Sequence, residues 1–576
     1  MSEFDLVIRN GSVLDGTGAE PIGADIAIVG NTIAAVGKFA GRGVEEIDAA
    51  GYLVTPGFVD IHTHYDGQAI WSDRLLPTSQ HGVTTAVLGN CGVGFAPCRK
   101  EDHDELVCLM EGVEDIPEIV LTEGLSWDWE TFPEYLDALE RRPRDVDVGA
   151  YLPHSPLRVY VMGDRAIRRE AATGEDLTKM QKLVREAMEV GALGFATSRV
   201  TSHRNSRGEA IPSYESDMSE LFAIGDALND AGRGIIQIVP NVDKDRVKQE
   251  LFDLGELARK SSRPLMMSFA QYHDEPEGWR DNLKIINDLN KEKGVTFQAQ
   301  VHTRSTSAML GFDASTNPFS LCPSYAAIAN LPLAERLAEL RKPEVRERLL
   351  KETPVDNGNP MFVIMRRFDK MFVIGPDANY EPGPEESIAA RAAAAGVSPE
   401  EMAYDLLLQD DGRALFQFPL ANYANGNLDA VRAIMLNEDT LIGLGDGGAH
   451  YGVVCDAGYP TFMLTYWTRD RASGRLPLPW VVHALTQKPA VAVGLHDRGV
   501  IAPGYKADIN VIDYDGLKLY RPFSVRDLPN GGRRLTDVPE GYKATILNGK
   551  ITWLDGSPTG ALPGRLVRGP QERLAA

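Results

Sequence analysis

Two histidines spaced two apart, His62 and His64, close an apolar run at residues 57–62. Residues two apart on an extended strand point the same way, so both imidazoles can face one point beyond the strand's end. Neutral imidazole nitrogens suit a borderline divalent ion such as zinc, although paired histidines also simply hydrogen-bond beside turns. Cys91 follows a second run, residues 84–89, within Leu88-Gly89-Asn90-Cys91-Gly92. It could give a thiolate to the same ion, because neighbouring strands lie about 4.8 Å apart, or it could fill a small apolar gap as free cysteines do. Asp446 ends a last run, residues 441–446, in Gly-Asp-Gly-Gly-Ala-His. If the last strand lies beside the first, its carboxylate can hold the ion and move a proton; the alternative is ordinary Asp-Gly turn chemistry. Four ligands at the same end of three strands form a stronger signal than any one alone.

Those strands belong to a series of eight apolar runs: 57–62, 84–89, 146–152, 192–197, 234–239, 264–269, 295–301 and 441–446. Helical patterns at 176–190, 215–231, 245–260 and 279–293, with apolar residues three and four apart, separate several of them. This alternation predicts an α/β fold, a (β/α)8 TIM-like barrel over residues 56–496. The long gap at about 303–439 reads as a helical insertion above the barrel's C-terminal face. Residues 1–55 and 497–568 alternate around Asn-Gly and Gly-Asn turns, and neither piece has enough apolar surface to stand alone. Together they predict one small β-sandwich domain.

The composition narrows the partners. With 59 Lys plus Arg against 82 Asp plus Glu, the net charge of −23 repels phosphate backbones and anionic lipid, so nucleic acid and membrane surfaces are poor partners and a small-molecule substrate fits better. No apolar run approaches the roughly 18 residues of a membrane span. The acidic opening Met1-Ser2-Glu3-Phe4-Asp5 lacks a secretory signal, and five scattered cysteines make no disulfide framework, so a cytoplasmic location is expected. Homo-oligomers are an expectation from analogy with other barrels.

Pro-Gly-Phe-Val-Asp-Ile-His-Thr-His at 56–64, Gly-Ala-Leu-Gly-Phe at 191–195 and the stretch 495–508 ending Pro-Gly-Tyr-Lys-Ala-Asp resemble the amidohydrolase superfamily. Asn90-Cys91-Gly92, His154-Ser155-Pro156-Leu157-Arg158 and the tail 556–565 narrow the resemblance to its D-aminoacylase branch, the N-acyl-D-amino-acid deacylases, over residues 4–568. The resemblance implies zinc and hydrolysis of the amide of an N-acylated amino compound. It implies His62, His64 and Cys91 as metal ligands and Asp446 as ligand and catalytic acid and base.

The chain departs from that family at the fifth and sixth strands, where ligand histidines are replaced by Val239 and Phe269, and Gln271 stands in place of a lysine. One ion rather than two is therefore expected. His154, His203, His302 and His450 are candidate substitute ligands, while Arg199, Arg204 and Arg304 are candidate partners for a substrate carboxylate. His302 and Arg304 also fall where the branch carries tyrosines, which implies a reshaped pocket. Competing readings are hydrolysis of a cyclic amide, carbamate or ester, and a metal-poor binding protein without catalysis.

Overall fold

The structure, a computed structural model, describes residues 3–572 apart from Gly294, Asn357 and Asn359. Eight strands run parallel in chain order: Phe58–Asp60, Val83–Leu88, Asp147–Pro153, Gly194–Ser198, Ile235–Val239, Leu265–Phe269, Phe297–Val301 and Thr440–Ile442. The two ends of this curled sheet meet through a parallel bridge between Thr63 and Gly447, where the His64 amide donates to the Gly447 carbonyl at 2.7 Å. The strands are short and mostly apolar, because both faces are covered. Val59, Ile61, Val87, Tyr151, Ile235, Met266 and Leu441 form one interior cluster, and Val493, Leu495 and Val567 pack into it. Above that layer the interior turns polar, with Gln237 and Gln300 wholly buried.

The outer helices show why the sequence stops and starts where it does. Thr173 and Asp176 form a reciprocal capping box that opens Gly174–Glu189. Met180, Val184, Ala187 and Met188 then make the buried stripe at helical spacing. Val190 ends the helix, and the chain turns at Gly191 into the fourth strand.

Two expectations need correction. The segment 303–439 is not purely helical, because Thr306–Leu310, Phe372–Val373 and Phe416–Ala421 form a three-stranded sheet inside it. Asn10-Gly11 is not a hairpin turn but an irregularity within one continuous strand, Phe4–Val13; Asn10 takes φ 59° and the register shifts between Ile8 and Gly11. A left-handed Asn can absorb one extra residue without reversing the chain.

Strands from the two ends of the chain share a nine-stranded sheet. Leu53–Pro56 pairs with Phe4–Val13 on one side and with Ile509–Ile512 on the other. Ile8, Ile26, Val54, Ile509 and Ile546 belong to its own buried cluster. Among the described residues no helix is long and apolar enough to cross a membrane.

Candidate metal centre

The first barrel strand delivers His62 and His64 to the C-terminal mouth, each 1% exposed. Cys91 arrives from a tight turn after the second strand and takes φ 57°, and Gly92 follows at φ 67°. A Cβ on Gly92 would stand 2.6 Å from the Thr197 Cα, so only glycine lets this turn settle against the fourth strand. The Gln237 Oε1 accepts the Cys91 amide at 2.9 Å and fixes the turn from the fifth strand. Asp446 follows the eighth strand at φ 45°, in a loop where Leu444 and His450 also have positive φ. A Cβ on Gly448 of that loop would meet the His64 carbonyl oxygen at 2.8 Å, so the close approach to the first strand needs glycine.

These elements place four donors together. The Cys91 Sγ lies 3.4 Å from His62 Nε2 and 3.7 Å from His64 Nε2. The Asp446 Oδ1 lies 3.4 Å and 3.7 Å from the same two nitrogens. A tetrahedral zinc with sulfur at ~2.3 Å and nitrogen at ~2.0–2.1 Å separates its ligand atoms by roughly 3.3–3.6 Å. His62, His64 and Cys91, whose ligand atoms all lie within 4.8 Å of one another, therefore fit a borderline divalent ion, with the Asp446 carboxylate beside both imidazoles. His62 Nδ1 faces the Gln300 Oε1 at 3.0 Å, which leaves Nε2 free for such an ion.

Electrostatics follow from burial and crowding. Burial pushes His62 down to about 4, against the pull of Asp446. Burial also works against charge on His64, but Glu114, Cys91 and Asp446 outweigh it and hold His64 well above its ordinary range. Burial pushes the Cys91 thiol up to about 12. Asp446 is the opposite case: the adjacent imidazoles overcome its burial and hold the carboxyl well below the ordinary range.

The other residues singled out in the sequence divide in two. His450, about a third exposed, lies 3.7 Å from Glu114 through Nε2. His203 bonds Ser198 through Nδ1 at 2.9 Å; burial, with His450, His64 and His62 nearby, pushes it down to about 3. Both stand at the mouth. His154 instead bonds Thr197 and Glu220 through its two ring nitrogens, at 2.8 Å and 2.7 Å. Arg199 is held by Glu250 and the Ser216 carbonyl, both at 2.7 Å. Arg304 is wholly buried, bonded to Asp456 and the Cys455 carbonyl and lying 3.5 Å over the Tyr380 ring. His302 is buried beside Asp456, with Nε2 at 3.5 Å from its carboxylate. Arg204 is exposed and donates to the Gly208 carbonyl.

The sixth strand also differs from expectation. Met266 faces the interior cluster while Met267 and Phe269 pack in the main core, so alternation turns Ser268 inward and Phe269 toward the helices. Gln271 donates to the Pro276 carbonyl and accepts the Ala424 amide, clamping this loop to the insertion. Sequence reasoning missed Gln237, Gln300 and Glu114. The two glutamines were accessible by counting two residues back from Val239 and His302; Glu114, at the end of a loop helix, carried no local signal.

A parallel barrel that gathers two imidazoles and a thiol at its C-terminal mouth, with a carboxylate beside them, belongs to the class of barrels that can hold a metal ion there. The chain belongs to the amidohydrolase family, whose profile matches residues 45–553. It is 29% identical to an uncharacterized protein of Mycobacterium tuberculosis, over 88% of this chain and 84% of that one. It is 26% identical to the D-aminoacylase of Alcaligenes xylosoxydans xylosoxydans, over 98% of this chain and 97% of that enzyme. Among solved structures, a D-aminoacylase with a binuclear metal centre superposes with a TM-score of 0.65 at 24% identity, covering 98% of this chain and all of the other.

Proposed function

We propose that the protein is a zinc-dependent hydrolase that cleaves the amide bond of an N-acylated amino compound. The observation that carries this reading is the clustering of His62, His64 and Cys91 at the barrel mouth, with Asp446 against both imidazoles. Family membership and the similarity to a D-aminoacylase along nearly the whole chain support it. The barrel would comprise residues 56–496, with 1–55 and 497–568 as an accessory β-sandwich domain. One ion rather than two fits the donors, because Val239 and the inward Ser268 offer no imidazole at strands five and six.

His62, His64 and Cys91 would hold the ion, with Asp446 completing the set. A divalent ion bound there polarises a carbonyl and lowers the pKa of water toward ~7. Asp446, ionised at neutral pH, takes the proton of the attacking water and returns it to the departing nitrogen, since an amine leaves only once protonated. The buried wall formed by Gln237, Gln300 and Glu114 keeps bulk water from the back of the site.

One observation favours a second substrate class. Arg199 and Gln271 are engaged by protein partners, and Arg304 gives Nη2 to Asp456 and the Cys455 carbonyl. Cyclic amides, carbamates and esters, which need no free carboxylate partner, thus remain the second reading. A panel of N-acetyl D- and L-amino acids, cyclic amides, carbamates and esters, assayed before and after chelation, tests both. The expected outcome is amide cleavage that chelator abolishes and zinc restores. A protein that takes up no zinc and cleaves none of the panel overturns the proposal.

A further inference from the structure

We propose that Glu114 is a positioning residue that fixes His64 for metal binding and ties it to the loop bearing Asp446. This rests on the zinc reading above and deepens it. Glu114 is the last residue of the helix His103–Glu114 and is 1% exposed. Its Oε1 stands 3.3 Å from His64 Nδ1 and its Oε2 stands 3.7 Å from His450 Nε2. Neither the Oε1 nor the Nδ1 has a hydrogen-bond partner, so a small reorientation at this distance makes that bond without breaking another.

Local physics argues against an acid here. Burying a carboxylate costs several kcal/mol unless it is paired, and a helix C-terminus is the end that disfavours negative charge. The residue makes sense by what it faces. His64 presents Nε2 to Cys91 and Asp446, so an ion can use that nitrogen only when the ring proton sits on Nδ1. A carboxylate behind Nδ1 selects this tautomer and raises the basicity of Nε2. Gln300 does the same for His62 with a neutral amide, so the two ligand histidines are backed by different groups. The backbone adds a second tie: the Glu114 carbonyl accepts the His450 amide, and the next residue, Asp115 at φ 51°, accepts the Gly452 amide at 3.1 Å. One helix end thereby sets the distance between a ligand of the first strand and the loop after the eighth.

The test uses the full-length protein stripped of metal, with zinc affinity read by competition against a chelator and folding by circular dichroism and melting. Glu114→Ala is expected to weaken zinc binding about 10- to 100-fold while the secondary structure persists. Glu114→Gln, which keeps the shape and can still accept the Nδ1 proton, is expected to recover part of that loss; it also decides the question if the alanine variant does not fold. Wild-type zinc affinity in both folded variants, with or without a lower melting temperature, overturns the inference and leaves the zinc reading intact. A wild-type protein that binds no zinc overturns both.

Discussion

Asp446 is the residue with the most to lose from a change of one atom. Its carboxylate lies within 3.7 Å of both imidazole Nε2 atoms, and its contact with His64 above all holds it ionised against burial. Asp446→Asn keeps the size and the loop but cannot take a proton. Turnover should fall about 100- to 10,000-fold, the usual worth of a positioned proton carrier, while the thermal melt and most bound zinc persist. Steady-state rates on the best panel substrate, beside elemental analysis, check this; unchanged turnover removes Asp446 from its role. The residues that the structure brings together here were legible because each belongs to a local pattern, His-X-His or a run ending at Cys91 or Asp446. Gln237, Gln300 and Glu114 were not, because their meaning depends on which side of a strand faces inward and on where a loop helix ends.

At the scale of elements, the fourth strand and its two neighbouring helices are locked by a buried knot. Glu220 in the helix Met218–Ala231 accepts from Arg158 and from His154 Nε2, and all three side chains are at most 2% exposed. Burial keeps His154 below its ordinary range, and Thr197 and Glu220 take both its ring nitrogens, so this histidine is an organiser of the helix His154–Met162 and not a spare ligand. Burial opposes the charge of Glu220, but His154 and Arg158 prevail and lower its pKa below the ordinary 4.5. A depressed carboxylate adds stability above its unfolded pKa, and that stability is lost as pH falls through the folded value. Glu220→Gln leaves Arg158 buried without its counter-charge and should cost about 3–5 kcal/mol near neutral pH. The gap to wild type should narrow below pH of about 4.5. Melts at several pH values read the effect, and a constant gap down to the acid limit contradicts it. Elements read well where the apolar period was clean: each of the eight runs overlaps a barrel strand, although the run 441–446 shares only its first two residues with the strand Thr440–Ile442. The insertion's strands did not, since Phe416–Ala421 carries Pro419 and pairs with Thr306–Leu310 across about a hundred residues, so nothing local announces it.

At the scale of the whole molecule, the question is whether the terminal sheet and the barrel can come apart. Their junction is polar and buried. Arg498 donates to Thr85 and Asp147 of the second and third barrel strands at 2.9 Å each, and to Asp497 at 2.9 Å. Asp147 also accepts from the Asn548 side chain of the terminal hairpin at 2.9 Å and from the Arg565 amide at 2.8 Å. Beyond it the tail runs along the third strand, where the Val567 amide donates to the Val148 carbonyl at 2.7 Å and the Val567 side chain helps fill the barrel floor. Pulling the sheet away would therefore strand a buried cation and two carboxylates and open the floor to water, so the two parts are expected to unfold as one unit. Arg498→Met, which keeps much of the volume, removes the cation while Asp147 and Asp497 stay buried, and should cost about 3–5 kcal/mol. Hydrogen exchange distinguishes coupling from independence. Amides of Ile509–Ile512 in the sheet and of residues 147–152 in the barrel should lose protection together and by the same factor. Loss confined to the sheet, with the third strand as protected as in wild type, would show that the barrel stands alone.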